Sequence, residues 1–465
     1  MQDIVRGNPT HHQVATLPAP LAPKDNQFEV YICCAQKHMR RGGAIDLVLR
    51  ETLLSEVLTA GANLISSMGV ATIPASNSQI FHQTILSFGA ILFGSRQGQT
   101  SIVGRGYAMH GMTLRHLNQA LSDEKCSTRD EVVLSVAALA ILECLVPSGP
   151  KNYLKHMLGL ERLLALRGPL NYSPISAEIY KSVRHMIIFS SLRTGRPSIL
   201  AGADWKNALR LNCNSDYEIQ EQDLFDFLAD CTTLLAERDG LLAEYESLLA
   251  IWGSDLDQQK LRLQIWARWR VRIWRRSLEV LASLRAWKET WDSDERNAYT
   301  VTSGTNFPTC WTPSGPMGAI FADGLPPLDL TFYSFSSGPV AFIMMLYNTT
   351  LIYIFRILAS LPSGNLETAL DAQPPWEHNN DEYFAAERST ALEVFRCVPY
   401  LCSIQLRSDF EASPISHWAV TTAWTTLRSN GNESNTKGED MIGLLEPVRQ
   451  GRGQPEIVAQ GVWEG

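Results

Sequence analysis

Residues 156–169, HMLGLERLLALRGP, predict an α-helix that stops abruptly. Apolar side chains recur three and four positions apart through this stretch, as the buried face of a helix requires. Gly168 and Pro169 follow the last turn. These residue types end helices because glycine adopts left-handed backbone angles and proline has no amide hydrogen. The stretch therefore predicts a helix over residues 151–167.

The segments on both sides of this helix show the same periodicity. On the N-terminal side, the pattern predicts helices at 46–65, 79–93, 104–121 and 130–146. On the C-terminal side, it predicts helices at 176–193, 220–252, 257–291, 339–361, 380–406 and 415–428. Strict alternation of apolar and polar residues, which is typical of strands, is almost absent. We therefore predict an all-α fold, a large array of antiparallel and orthogonal helices.

Three segments flank or interrupt the helical array. Residues 1–28 are rich in proline, histidine and polar residues and predict a flexible N-terminal arm. Residues 292–338 are dominated by glycine, proline, serine and threonine and predict one long irregular connector. Residues 431–465 predict a flexible C-terminal tail. We therefore expect one helical domain over residues 29–430 that contains the connector.

The composition limits the class of function. The chain has 465 residues, of which 45% are hydrophobic, and this is enough for a large buried core. Its net charge of −8 argues against a free-standing nucleic-acid-binding protein, whose surface is usually basic. The nine cysteines include no Cys-x-x-Cys pair and indicate reduced thiols in an intracellular protein. Residues 340–361 are the most apolar stretch, but Asn348 and Arg356 interrupt it, so we predict a core helix and no membrane span.

His156, Gly159 and the Arg167-Gly168-Pro169 stop resemble a motif of the regulatory helical domain of fungal zinc-cluster transcription factors. Further stretches are similar to other blocks of that domain, in the same order: residues 79–95, 136–145, 192–200, and 346–358 with Tyr347, Asn348 and Arg356. The resemblance covers about residues 45–428. It implies an all-α regulator that senses small molecules, regulates activation and contacts partner proteins. It also implies a nuclear location, with the cytoplasm as the alternative.

The six-cysteine zinc cluster of that family is missing from this sequence. The family's DNA-binding module folds only around its zinc ions, because it is too small to have a core of its own. The first 120 residues contain only Cys33 and Cys34, which are adjacent to each other. We therefore expect no direct DNA binding. The sequence is either a natural homologue without the cluster or a fragment lacking its N-terminus, and Met1 favours the first.

Five residues are candidates for binding a ligand: His156, Arg184, Trp311, Tyr347 and Asn348. Near neutral pH an imidazole can donate or accept a proton, an arginine can bind an anion, and aromatic and amide side chains can line an apolar pocket. Each residue also has a structural interpretation, in which His156 bonds to a neighbouring helix and the aromatic side chains pack in the core.

The arginines near helix ends, Arg167, Arg184 and Arg196, have a structural interpretation too. They can satisfy helix-end carbonyls or pair with an acid such as Glu161 or Glu143. No His-Glu-x-x-His motif, Walker loop, Gly-x-Ser-x-Gly elbow or dinucleotide fingerprint is present in the sequence. We therefore predict no metal and no cofactor.

Residues 260–288 form the most basic stretch, with nine lysines and arginines and the single acid Glu279. Interleaved tryptophans would suit phosphate contacts and base stacking. However, Trp266, Trp269, Ile273, Val280, Leu284 and Trp287 recur at helical spacing, and Arg268, Arg272 and Arg275 fall on another face. We predict a core-packed helix with a solvated basic face, and a partner or nucleic-acid surface is the alternative.

Two hypotheses about function remain open. The first is a regulator of transcription, for example of a metabolic pathway, that acts through a small apolar molecule, a protein partner or a homodimer. The second is a cofactor-independent cyclase or isomerase that restrains an apolar secondary metabolite in a pocket. The pocket would be lined by Tyr347, Asn348 and the aromatic residues of the connector, Trp311, Phe321, Phe332, Tyr333 and Phe335; ordinary core packing is the structural interpretation of these side chains. A sealed cavity with convergent polar groups would favour the enzyme. A solid core with an exposed apolar groove would favour the regulator.

Overall fold

The computed structural model describes residues 77–146, 152–169, 174–250, 256–303, 331–362, 380–407 and 414–429. Within these ranges the chain forms twelve α-helices and one two-stranded sheet, so the all-α prediction is confirmed. The predicted arm at 1–28, the helix at 46–65, the tail at 431–465 and Trp311 lie outside the described residues.

The long helices follow the predicted order and boundaries closely. The helices are α1 (Asn77–Arg96), α2 (Thr100–Leu121), α3 (Glu124–Ser127), α4 (Asp130–Leu145), α5 (Asn152–Arg167), α6 (Pro174–Thr194), α7 (Ala203–Leu211), α8 (Asp216–Ala250), α9 (Leu256–Asp292), α10 (Gly338–Ser360), α11 (Asn380–Arg407) and α12 (Pro414–Ser429). Short 3-10 turns at Ile199–Ala201 and Glu295–Asn297 precede α7 and the sheet. The short helices α3 and α7 were not predicted from the sequence.

Two strands lie at the two ends of the predicted connector. β1 (Tyr299–Ser303) and β2 (Thr331–Phe335) pair antiparallel, with Val301 opposite Tyr333. β-branched and aromatic residues dominate both strands, as expected for a pleated surface. The sequence analysis did not predict these strands, because each is only five residues long and pairs with a segment about thirty residues away.

The N-terminal helices pack closely around α4. α1 contacts both α2 and α4, and α4 contacts α5. Gly98, with φ of 63°, forms the turn between α1 and α2. A Cβ added to Gly106 of α2 would lie 2.7 Å from Ile91 Cγ1 of α1. Glycine therefore permits the close approach of these two helices.

α10 is the core helix of the C-terminal part of the fold. It packs against α8, α9, α11 and α12, while α6 contacts α5 on one side and α8 on the other. Among the described helices, α10 is long and apolar enough to cross a membrane by length and composition. Of its most apolar window, 78% is buried inside the fold, so its apolar surface packs against protein.

Candidate ligand-binding cleft and the motif residues

Arg167 ties the end of α5 to α4, and Gly168 ends the helix. Arg167 Nη1 lies 2.5 Å from Asp130 Oδ1 at the start of α4, and its guanidinium lies 5.5 Å from the centre of the Tyr180 ring. Gly168 has a φ of 76°, a left-handed angle that favours glycine. Both residues therefore have structural roles in the motif.

The other motif residues of α5 have different surroundings. The Glu161 carboxylate accepts a hydrogen bond from the Ile199 amide at 3.0 Å and one from the Ser198 hydroxyl at 3.3 Å. It therefore holds the 3-10 turn before α7, and the acid partner of Arg167 is Asp130. Gly159 is exposed, and an added Cβ would meet nothing within 4 Å, so nothing in the described structure explains it.

His156 lies half-buried on α5, beside titratable side chains of α2 and α4. Burial lowers the pKa of His156, while the Glu143 carboxylate opposes this shift and His110 adds to it. Burial also lowers the pKa of His110, again against the effect of Glu143. The charges of His110, Glu143 and His156 therefore influence one another.

We expect the protein to lose stability as the pH falls below about 6.5, the ordinary histidine pKa. Burial lowers the pKa of His82, His110 and His156 in the folded state. The unfolded chain therefore takes up protons first on acidification. The free energy of unfolding falls between pH 6.5 and the lower folded-state pKa values, and is constant below them as far as these groups are concerned.

Urea denaturation at several pH values between about 7.5 and 5.5 measures this effect. His82 gives the clearest comparison, since it is 2% exposed and neither ring nitrogen has a hydrogen-bond partner in the described structure. His82→Leu and His156→Gln should each make the fall in stability shallower than in the unmodified chain. Identical slopes in all three proteins would show that these histidines do not control the acid side of the stability curve.

Arg184 joins α6 to α8 in the core. It is 5% exposed, and its Nη1 donates to Gln222 Oε1 at 2.7 Å. Its Nη2 pairs with the Glu221 carboxylate, and its guanidinium lies 4.3 Å from the centre of the Phe225 ring. The structural interpretation therefore accounts for this charge, with Glu221 as the acid partner.

Tyr347 stands at one end of a row of aromatic rings. It stacks on Trp287 at 5.7 Å between ring centres, Trp287 stacks on Trp291 at 5.3 Å, and Trp291 contacts Tyr217 at 6.3 Å. Burial raises the pKa of Tyr347 to about 12, so its hydroxyl is neutral near pH 7. This aromatic row (Tyr217, Trp291, Trp287 and Tyr347) connects α8, α9 and α10.

The two indole nitrogens of the aromatic row differ in their partners. Trp287 Nε1 donates to the carbonyl oxygen of Gln220 at 3.1 Å. Trp291 Nε1 is buried and has no acceptor within the described ranges. Trp287 therefore anchors α9 to α8 by a hydrogen bond, whereas Trp291 contributes through packing.

An open cleft of about 310 Å³ lies at the Tyr217 end of the aromatic row. Most of the surface that lines the cleft is apolar, although several of the lining residues are polar. The lining includes Tyr217, Gln220, Asn297, Ser337, Pro339 and Val340. Asp294 and Arg296 also line it and pair with each other at 2.7 Å. The Asn297 amide donates to the Trp291 carbonyl at 3.1 Å, which holds the turn after α9 in place. Such a lining suits a small apolar molecule with a polar edge.

The residues predicted to bind a ligand do not meet in one site. Tyr347 belongs to the aromatic row, and Asn348 is the next residue on α10, 5% exposed. Arg184 lies on α6, where its guanidinium contacts Gln222 and Glu221 of α8. His156 instead groups with residues of α2 and α4. Trp311 lies outside the described residues.

The sequence analysis missed the residues that line the cleft. Tyr217, Asn297 and Ser337 come from three segments that are far apart along the chain, and none carries a motif. The one local signal was the spacing of Trp287 and Trp291, four residues apart at the end of α9, which places both rings on one helix face.

Arg356, the last motif residue, joins three helices. Its Nε donates to Glu387 Oε1 of α11 at 2.9 Å, and its Nη2 donates to Thr426 Oγ1 of α12 at 2.7 Å. Its guanidinium also lies 5.3 Å from the centre of the Tyr353 ring on α10. Arg356 therefore acts as a structural connection between α10, α11 and α12.

The aromatic residues of β2 pack as part of the core. Phe332 contacts Phe395 at 6.0 Å and Phe335 contacts Tyr400 at 5.3 Å between ring centres. The Tyr333 hydroxyl donates to the Glu393 carboxylate. These contacts fix the sheet against α11 and favour the packing interpretation of the connector aromatics.

The described cysteines are free thiols. Cys231 and Cys397 are buried, whereas Cys126 and Cys213 are partly exposed. Burial raises the pKa of the Cys231 and Cys397 thiols, so both are protonated near pH 7. Within the described ranges, no group of three histidine, cysteine, aspartate or glutamate side chains is placed to hold a metal ion.

The basic stretch of α9 has the two faces that its sequence predicts. Trp266, Ile273 and Leu284 are at most 2% exposed, and Trp287 is 8% exposed. Arg268, Arg272 and Arg275 lie on the exposed face. The helix is therefore packed into the core by its apolar face, as predicted, and it exposes these three arginines on the other face.

Comparisons with known proteins agree with the family resemblance of the sequence. A family model described as "fungal specific transcription factor domain" matches residues 70–373, more than half of the chain. An uncharacterized protein of Emericella nidulans is 26% identical over 152 residues, which is 32% of this chain and 32% of that protein. The aligned part thus spans about a third of the length of this curated relative.

No solved structure matches the chain significantly. The range matched by the family model contains the motif helix α5, Arg184, and the residues that form the aromatic row and line the cleft. The chain belongs to the fungal specific transcription factor domain family, and this membership supports a regulatory role.

Proposed function

We propose that this chain is a ligand-responsive regulator of transcription that binds a small apolar molecule in the cleft beside the aromatic row. The observation that carries the proposal is that an open, mostly apolar cleft lies within the range that matches the regulatory family. A nuclear location is part of the proposal and is supported by the family membership.

The cleft suits regulation because its walls belong to different elements. Tyr217 comes from α8, Asn297 from the turn after α9, and Val340 from the first turn of α10. A ligand that contacts all three segments stabilises their present arrangement by RT ln(1 + [L]/Kd), about 2.7 kcal/mol at a hundred times Kd. Regulation requires that this stabilisation differ between two arrangements of the protein.

The same geometry favours binding over catalysis. Asp294 and Arg296 neutralise each other at the cleft, and Arg296 is exposed to water. A cyclase or isomerase that works by restraint and hydrogen bonding excludes water from its substrate. An open cleft with a paired surface charge provides less of that exclusion than a sealed cavity.

Ser337→Tyr tests the cleft. The Ser337 side chain makes no capping hydrogen bond to α10 and lines the cleft, so a tyrosine ring there occupies ligand space without removing a bond. We expect an affinity at least about tenfold weaker, or about 1.4 kcal/mol. Mass spectrometry of the purified full chain, incubated with an apolar fungal extract, identifies the retained molecule. Tryptophan fluorescence then measures its affinity.

Ser334→Tyr is the matched control, because Ser334 lies exposed on β2 and does not line the cleft. Equal affinities of the two variants, or no retained molecule, would refute ligand binding at the cleft. The regulatory role has a separate test, in which transcripts are compared between a host strain and a deletion strain. Unchanged transcripts would refute that role, whatever the cleft binds.

A further inference from the structure

The outer face of α9 carries three arginines next to two exposed aliphatic side chains. Leu261 is 57% exposed and Ile265 is 55% exposed, and Arg268, Arg272 and Arg275 are exposed as well. The five residues follow one another at intervals of four, three, four and three positions, which places them on one helix face. With a rise of 1.5 Å per residue, this α9 stripe is about 21 Å long.

The other arginines of this part of α9 have partners within the fold. Arg262 pairs with Glu244 at 2.6 Å, and Arg276 pairs with Glu237 at 2.8 Å. Arg270 is buried and donates to the Pro362 carbonyl at 2.8 Å. These contacts tie α9 to its neighbours in the fold and account for the other arginines between residues 262 and 276.

The arginines of the α9 stripe make no ion pair or hydrogen bond in the part of the chain that the structure describes. Arg268 and Arg272 are four positions apart, and Arg272 and Arg275 are three apart. Like charges at these spacings destabilise a helix by a few tenths of a kcal/mol. Glu279, exposed four positions after Arg275 and on the same face, offsets part of this repulsion, but Arg268 and Arg272 have no acid at helical spacing. The chain as a whole has a net charge of −8, so the charge of this face is opposite in sign to that of the whole chain.

The exposed side chains distinguish a protein partner from a nucleic acid. Binding of single strands depends on aromatic rings for base stacking, but Trp266 and Trp287 are buried, and Trp269 and Trp274 are partly buried and pack against the core. Phosphate contacts gain nothing from Leu261 and Ile265, which would remain in water. A helix with acidic and apolar side chains would pair with the arginines and cover the aliphatic residues at the same time.

We propose that the α9 stripe docks an acidic amphipathic helix of a partner protein. A partner helix of about four turns matches the length of the stripe. Its apolar side chains cover Leu261 and Ile265, and its carboxylates pair with Arg268, Arg272 and Arg275. This inference goes beyond the proposed ligand response, since the stripe lies on the opposite side of α9 from its buried tryptophans and does not depend on the cleft.

Fluorescence anisotropy with the full chain tests the proposal. The probe is a labelled, hydrocarbon-stapled helical peptide of about fifteen residues with glutamate on one face and leucine beside it. A stapled peptide of the same composition in scrambled order is the control probe. We expect the ordered peptide to bind at least about tenfold more tightly than the scrambled one at physiological salt.

Two sets of variants separate the charged and apolar contributions. The triple change R268E/R272E/R275E and the double change L261S/I265S should each weaken binding of the ordered peptide by at least about tenfold. The matched control is R129E/R162E/R196E, which makes the same change in charge at exposed arginines elsewhere and should bind like the unmodified chain. Circular dichroism checks that every variant remains folded.

The proposal is overturned if the control triple loses binding as much as the stripe triple, because the effect would then be the net charge alone. It is also overturned if L261S/I265S binds normally, or if the ordered peptide shows no preference over the scrambled one. A duplex DNA of about fifteen base pairs serves as a further probe. Tighter binding of this DNA, lost in the stripe triple, would assign the stripe to nucleic acid instead.

Discussion

Replacing Arg356 with methionine should lower the free energy of unfolding by about 2–4 kcal/mol, because the arginine is 30% exposed and only its glutamate partner is buried. Methionine fills part of the volume but leaves the Glu387 carboxylate, 6% exposed, without its cation at 2.9 Å. The hydrogen bond from Arg356 Nη2 to Thr426 is lost as well. Because the arginine connects α10 with α11 and α12, its removal affects the packing of all three helices. Urea denaturation of the full chain measures the loss.

Arg262→Met is the matched control for this prediction. Arg262 also pairs with a glutamate, Glu244, but the two side chains are 35% and 37% exposed. Solvent-exposed pairs contribute little, so this change should cost less than about 1 kcal/mol. The double change R356M/E387M should recover much of the stability, since it removes both charges together. A cost for R356M as small as that for R262M would refute the structural role of the ion pair.

Replacing Trp291 with alanine should destabilise the protein by about 3–5 kcal/mol. Trp291 is 1% exposed and lies in the middle of the aromatic row, between Trp287 and Tyr217. Alanine removes both ring contacts and leaves a cavity where α8 and α9 meet. Thermal or urea unfolding, followed by circular dichroism, measures the effect.

Phenylalanine at the same two tryptophan positions separates packing from hydrogen bonding. Trp291→Phe should cost only about 1 kcal/mol, because it keeps a ring in the row and Trp291 Nε1 has no acceptor in the described structure. Trp287→Phe should cost more, because the Gln220 carbonyl loses the donor that lies 3.1 Å away. If Trp291→Phe proves the more destabilising change, it is wrong that Trp287 contributes a hydrogen bond and Trp291 contributes only packing.

The local sequence pattern was sufficient to predict the positions of the long helices. The predicted helix at 151–167 is α5 at Asn152–Arg167, and the predicted helix at 339–361 is α10 at Gly338–Ser360. Periodicity, apolar content and the Gly168 stop are properties of neighbouring residues, so the sequence displays them directly. The resemblance carried by His156, Gly159 and the Arg167-Gly168-Pro169 stop likewise led to the family whose model matches residues 70–373.

Contacts between distant segments could not be predicted from the local sequence pattern. β1 and β2 pair across about thirty residues, and Arg356 meets Glu387 and Thr426 from helices that follow it in the chain. The cleft combines Tyr217, Asn297 and Ser337, none of which stands out in its own segment. Partners of this kind depend on how the helices pack, and the spacing of residues within a single helix does not predict that packing.

The sequence by itself determined the all-α class, the positions of the long helices, the two faces of α9 and the family, because each follows from side chains a few positions apart. Only the tertiary structure decided that Arg184 and Arg356 serve the core, that Tyr347 joins a row with Trp287, and that an open cleft lies beside Tyr217. The physical reason is that burial and pairing are set by neighbours in space. The same residue types would suit a ligand site or a packed core until those neighbours are known.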